Sequence, residues 1–505
     1  MGSALMEHFD VVVVGAGISG IGAGYHLQKN CPNKKYVILE GRDSIGGTWD
    51  LFKYPGIRSD SDMYTLGYSF KPWKEAKAIA DAPSIMNYLR EATDEFGIKD
   101  KIRFGYQVQT ASWSTDDARW TVETQHGPDQ EIVHFTCDFL FMCSGYYSYK
   151  GGYTPEYPGI ENYKGRMVHP QKWTEDIDYQ DKKVVVIGSG ATAVTLLPEL
   201  AKKASHVTML QRSPTYVVSR PAEDKLANWL RSKLPAKLAY SITRWKNVLL
   251  GMYFFNLCRK KPDMVKKRLL DEVRNELGPD FDVDTHFNPS YKPWDQRLCL
   301  VPNGDMFEAI KSGQASVATD HIETFTETGI KLKSGEELEA DLVVSATGLT
   351  LEVLGGMKVF VDGKPVDFGQ SMTYKGMMYS DVPNLASSFG YTNASWTLKC
   401  DLTCEYVARV INHMEKTGLR QATPRLPDTP LEQEAWLDLT SGYVQRAQDV
   451  LPKQGTVTPW KLHQNYAKDI VMLGYGKVDD GTMEFSNPAA TATKNEKQDS
   501  AKAAA

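Results

Sequence analysis

The chain has 505 residues, enough for about three folding units at roughly 150 residues each, so a small scaffold stapled by disulfides is excluded. Its 58 Lys and Arg stand against 63 Asp and Glu, a formal charge of −5 that offers no global positive field to nucleic acid or an anionic membrane. Hydrophobic residues at 42% and charged residues at 24% suit a globular protein with sizeable cores and exclude general disorder.

Met6 stands where a myristoylation pattern needs Ser or Thr, so no lipid anchor is expected. The apolar run at 9–14 is too early and too short for a signal peptide and reads as a strand. It leads into Gly15-Ala16-Gly17-Ile18-Ser19-Gly20, a GxGxxG turn followed by a helical stretch. Glycines there allow a tight turn, close approach to a pyrophosphate and close helix packing, with helix N–H groups aimed at the phosphates. Glu40 ends the next strand, 20 residues after Gly20, where a carboxylate meets a ribose hydroxyl. A structural glycine turn is the plainer alternative, and the placement of Glu40 argues against it.

A second strand-to-helix turn, Gly188-Ser189-Gly190-Ala191-Thr192-Ala193, follows the strand at 184–187. The strand after it, 207–210, is followed by Gln211-Arg212-Ser213, so Arg212 stands 19 residues after Ala193, in the carboxylate's place. A guanidinium pairs with a 2′-phosphate that Glu40 would repel. The first turn therefore suits the adenosine half of FAD and the second suits NADPH; for Arg212 the plainer alternative is a solvated strand end. Two such sites imply a flavin reduced by NADPH. Phe141-Met142-Cys143-Ser144-Gly145 and Val344-Ser345-Ala346-Thr347-Gly348 look like linkers between the two domains, or like ordinary strand-end turns.

Residues 219–291 carry aromatic and basic side chains at helical spacing and read as a mostly helical insertion. Within 225–268 there are twelve Lys or Arg against a single acid, Asp263. This is a candidate surface for peripheral membrane contact or substrate access. The plainer reading is a subdomain whose apolar face packs on the NADP domain. The longest apolar candidate, 248–258, is interrupted by Gly251 and Asn256, so no spanning helix is expected. Seven cysteines form an odd, sparse set that fits a reducing, cytoplasmic compartment. No CxxC pair occurs, and Cys400 and Cys404 read as small core residues of a helix. No metal-ligand spacing such as HExxH occurs, so no metal is expected. Residues 488–505 lack bulky apolar side chains and read as a disordered tail.

Gly46-Gly47-Thr48-Trp49-Asp50-Leu51-Phe52-Lys53-Tyr54-Pro55-Gly56-Ile57-Arg58-Ser59-Asp60 matches the long fingerprint of type I Baeyer-Villiger monooxygenases. A second signature of that family resembles Tyr163-Lys164-Gly165-Arg166-Met167-Val168-His169-Pro170-Gln171-Lys172-Trp173-Thr174, with Tyr163 and Thr174 as departures. Stretches such as LQRSPTY, NPSYKPWDQRLCLVPNGD and GYTNASWTLK look most like the ethionamide monooxygenase branch. The resemblance implies NADPH- and O2-dependent conversion of ketones to esters or lactones through a flavin peroxide, with oxidation of sulfides or thioamides. A mainly sulfur- or nitrogen-oxidising enzyme, and a flavin-bearing redox-binding protein without turnover, are the alternatives.

By the same resemblance, Arg297 is the cation beside the reacting oxygen, and Gln296 stands where many members carry a lysine that contacts the NADPH phosphate. Asp60 is expected against Arg297, holding its orientation, with a helix N-cap as the alternative role. Gly47, Thr48 and Trp49 are expected to line the flavin, with an apolar-core role as the alternative for Trp49. His169 is expected to serve as a hinge or packing residue rather than a general base. The fold class is α/β: two Rossmann-like domains with a helical subdomain inserted in the second. The expected boundaries are 7–147 and 379–487 for the FAD domain, 148–218 and 292–378 for the NADP domain, and 219–291 for the insertion.

Overall fold

The computed structural model describes residues 6–488; the expected tail beyond 488 lies outside the described residues. Strand Glu7–Val14 forms the middle of the first sheet, because its valines are covered on both faces, as a parallel strand under helices requires. It pairs in parallel with Tyr36–Leu39 on one side and with Glu131–Met142 on the other. Arg119–His126 and Tyr106–Ser114 continue the sheet in antiparallel order. Helix Ile18–Asn30 packs beneath it against Trp396–Thr417, so both ends of the chain build this core.

The second sheet is parallel throughout, in the order Ala315–Thr319, His206–Gln211, Lys183–Ile187, Leu342–Ser345, Arg166–Val168. Helix Ala191–Leu200 follows its central strand. Strand Lys358–Val361, expected in the second domain, instead pairs with Tyr106–Ser114 of the first sheet. The chain has therefore returned to the first unit by residue 358, ahead of the expected 379.

Both glycine turns are built on the ends of neighbouring strands. Gly15 has φ +101°, and a Cβ there would lie 2.7 Å from the Cys143 carbonyl oxygen. Gly188 has φ +125°, and its Cβ would lie 2.4 Å from the Ala346 oxygen. Those two carbonyls belong to the two sequence-predicted linkers, which run side by side. Ser148 N donates to Thr350 O at 2.9 Å and Glu352 N to Tyr146 O at 3.0 Å. His169 locks this crossing, as its Nε2 donates to Gly348 O at 3.1 Å while Nδ1 accepts from Gln171 N at 3.2 Å. Both ring nitrogens are thereby engaged, which fits the packing role expected of it.

The insertion is helical, with Lys225–Lys233, Ala236–Lys260, Pro262–Leu277 and the short Val283–His286. Its packing differs from the plainer expectation. Into the second core it sends Leu270 and Val273 of Pro262–Leu277 and Val283 of Val283–His286. The inner face of Ala236–Lys260 lies on the first unit: Tyr240 Oη donates to Tyr68 O, and one Arg244 nitrogen donates to the carbonyls of Tyr64 and Gly67 at 2.9 and 2.7 Å. Arg244 also lies 3.7 Å from the Asp401 carboxylate, which His26 approaches at 3.4 Å.

Burial raises the Asp401 pKa, but His26 and Arg244 outweigh it and hold the carboxyl below the usual carboxylate range. A depressed folded pKa means that this stabilisation is present above the unfolded carboxylate pKa and is lost as pH falls through the folded one. Asp401→Asn should cost about 3 kcal/mol at neutral pH by leaving the Arg244 charge buried without its counter-ion. Urea midpoints at pH 7 and at about pH 2.5, below the unfolded carboxylate pKa of about 3.9, should show the deficit narrowing in acid.

Candidate active site

The first glycine turn opens into a cleft that ends at Arg297. Gly17 and Gly47 face each other across its mouth, and a Cβ on Gly47 would come within 3.2 Å of the Gly17 Cα. Glu40 lies beneath the turn, its Oε2 accepting from Ala16 N at 2.8 Å and its Oε1 from Arg42 N at 2.9 Å. Burial pushes its carboxyl up, against those backbone donors. Gly15, Gly17, Glu40, Gly47, Thr48, Trp49, Asp60 and Arg297 all line the cleft. Gly20 does not; its Cβ would lie 1.8 Å from Gly15 O, so its part is to let the helix close on the turn.

The long fingerprint at 46–60 forms the seam between the two halves. Its Thr48–Leu51 turn is fixed by Arg42, which donates to Asp50 Oδ2 at 2.6 Å. Tyr54 packs into the second core, and a Cβ on Gly56 would strike the Glu199 side chain at 2.1 Å. Arg58 grips Asp305 at the start of helix Asp305–Lys311 with both terminal nitrogens. This cross-seam ion pair has no signal in the spacing of the motif.

The second turn sits at the rim. Gly190 is exposed, with nothing within 4 Å of the place a Cβ would occupy, and Ala193 is buried in the first turn of the helix. Ala191, Thr192 and Thr195 of that helix face the cleft, which brings the two turns to one opening. Arg212 and Ser213 are exposed at the strand end, and Ser189 Oγ donates to Ser213 O at 3.0 Å. Gln296 lines neither the cleft nor the neighbouring cavity; it forms an isolated backbone bridge with Pro293.

Arg297 stands where the cleft meets a second cavity of about 1110 Å³. Its Nε is buried and has no hydrogen-bond partner among the described residues. Burial works against its charge; of the groups that act on it, Tyr146, Tyr443, Tyr147 and Asp60, only the Asp60 carboxylate is negative at neutral pH, and the guanidinium stays charged. Burial pushes the Tyr443 hydroxyl up to about 12, which keeps it protonated at neutral pH. The loop bearing Arg297 is tethered by Thr440 N, which donates to Asp295 O at 2.9 Å, and by Arg259, 3.3 Å from the Asp295 carboxylate.

Asp60 lines both cavities, but it forms no ion pair with Arg297 within 4.0 Å, so the expected direct contact is corrected to a longer-range one. Its alternative capping role falls to Asp62, which accepts from Thr65 N at 3.1 Å. Trp49 both lines the cleft and packs at the edge of the first core. Sequence reasoning missed Tyr146, Tyr147 and Tyr443. The paired tyrosines directly after the first linker were the one available signal for two of them.

Facing glycines that leave a cradle open, an aromatic-lined cleft and an arginine whose buried Nε has no hydrogen-bond partner among the described residues fit a flavin dinucleotide. Cys400 and Cys404 are buried in helix Trp396–Thr417. Among the described residues, no cluster of three or more His, Cys, Asp or Glu is placed to hold a metal, and no helix is long and apolar enough to cross a membrane.

The chain is 52% identical to the FAD-containing monooxygenase EthA of Mycobacterium tuberculosis over 95% of its own length and 98% of that protein. It is 48% identical to the probable FAD-binding monooxygenase AlmA of Acinetobacter baylyi, over 97% and 99% of the two chains. Its fold matches an NADP-bound steroid monooxygenase with a TM-score of 0.73 at 21% identity, covering 95% of this chain and 100% of that one. An open cyclohexanone monooxygenase matches with a TM-score of 0.72 at 20% identity and the same coverage. The profile of flavin-binding monooxygenase-like proteins matches residues 9–354, and the chain belongs to that family.

Proposed function

We propose that this chain is an FAD- and NADPH-dependent Baeyer-Villiger monooxygenase that converts ketones to esters or lactones and oxidises sulfides or thioamides at the same centre. The observation that carries the reading is Arg297: a guanidinium whose buried Nε has no hydrogen-bond partner among the described residues, at the junction of the glycine-turn cleft and a large, mainly apolar cavity. Bound FAD supplies the redox chemistry, accepting two electrons from NADPH and passing them to O2.

The chain's own residues hold, orient and stabilise. The turn at Gly15, Gly17 and Gly20 with Glu40 holds the adenosine half of FAD, and Gly47, Thr48 and Trp49 flank the remainder. Gly188, Gly190 and Ala193 cradle the NADPH pyrophosphate, while Arg212 and Ser213 take the 2′-phosphate. Gln296, which lines neither cavity, leaves that selectivity to Arg212. Arg297 stabilises negative charge on the carbonyl oxygen of the substrate, and Asp60 biases its electrostatics from a distance. Val248, Met252, Phe254 and Leu298 enclose the apolar part of the substrate and exclude water.

Arg297→Ala should keep NADPH-dependent bleaching of the flavin while ketone oxygenation falls about 10²- to 10³-fold, measured by single-turnover absorbance and by ester yield. Oxygenation at the wild-type rate would remove Arg297 from the site. Arg212→Ala should raise the KM for NADPH about 10- to 100-fold and leave that for NADH nearly unchanged, in steady-state assays with either nucleotide.

A further inference from the structure

A surface helix in water turns its polar face outward. Helix Ala236–Lys260 does not. Its inner face is buried through Tyr240, Thr243, Arg244 and Val248. Its outer face carries Leu238, Ile242, Trp245, Leu249 and Tyr253, spaced at helical intervals and 42–66% exposed. Trp245 meets the Tyr466 ring at 5.8 Å, and the segment that follows, Ile470–Tyr475, exposes Val471 and Tyr475 at 65% and 81%.

Cations close both ends of this stripe. Lys233 and Lys237 stand at its start, Lys260 and Lys261 at its end; all four are exposed and form no ion pair among the described residues. A second copy pairing antiparallel across the stripe would set lysines against lysines, which repel. A plane of anionic headgroups over an apolar layer satisfies both features, with the lysine stems reaching up to the phosphates. Leu250 and Tyr253 of the same helix also line the cavity that ends at Arg297, so the exposed face and the cavity wall are continuous.

We propose that the outer face of Ala236–Lys260 lies on an anionic lipid surface and that apolar substrates pass from that lipid into the cavity. The docking rests on this face alone; the delivery rests also on the function proposed above.

The test is flotation of the full-length holoenzyme with phosphatidylcholine vesicles, with and without phosphatidylglycerol. The expected result is binding to the anionic vesicles, weaker by about tenfold on phosphatidylcholine alone or in about 0.5 M salt. The double variant Ile242→Glu/Leu249→Glu should lose about tenfold or more of that binding while keeping its thermal transition and its turnover of a short, water-soluble ketone. Lys233→Glu/Lys237→Glu should lose the preference for anionic lipid. Wild-type protein that stays with the buffer, or variants that float as it does, would overturn the docking. So would a wild-type dimer that the Glu variants convert to monomers without any vesicle binding. Absence of ketone turnover in the wild type would count against the proposed function, while flotation would still decide the docking.

Discussion

Two carbonyl oxygens leave no room for a side chain at Gly15 and Gly188. Each glycine closes a strand-to-helix turn onto the end of a neighbouring strand, Cys143 in one sheet and Ala346 in the other. Because those strand ends are also the linkers, the places that shape the two dinucleotide turns are the places where the chain changes domain. The segments just beyond the linkers then hydrogen-bond to each other, and His169 fastens the second linker at Gly348. A rigid crossing between two parallel-sheet units brings both turns to one opening, and the fingerprint at 46–60 fills the seam through Tyr54, Gly56 and Arg58.

On that frame Arg297 is held by segments far apart in sequence. Thr440 from the C-terminal part and Arg259 from the helical insertion both secure Asp295, two residues away. Trp294 adopts φ +71°, a conformation that costs a bulky residue of order 1–3 kcal/mol and persists only where neighbours over-determine it. The result is a loop held on both sides that carries a guanidinium with no carboxylate within 4.0 Å among the described residues. In the proposed function this matters, since an arginine neutralised by a direct ion pair would have less to give to charge developing on a substrate oxygen than one that meets Asp60 only at longer range.

The sequence made the local features of this fold readable and left the long-range ones dark. The glycine turns, the placement of Glu40 beneath the first of them and the strand ends that form both linkers were legible because each is a local pattern with a physical requirement. The return to the first unit was placed about twenty residues late, since strand Lys358–Val361 has no property that marks which sheet edge it joins; tertiary pairing with Tyr106–Ser114 decides that. The cavity beside Arg297 was illegible for a similar reason: its walls come from the Asp60, Val248, Leu298, Asn393 and Tyr466 regions, which share no motif. Net charge misled as well. The value of −5 averages over a strongly basic insertion whose lysines frame an uncovered apolar face, and only the burial pattern of the helix shows which face that is.

If one site, with Arg297 at its back, places an oxygen atom from O2 into a carbon skeleton, product analysis under ¹⁸O2, with NADPH and a panel of ketones beside a sulfide, will yield esters or lactones carrying one labelled oxygen, together with labelled sulfoxide. Sulfoxide without any ester, or NADPH oxidation with no labelled product, would contradict it.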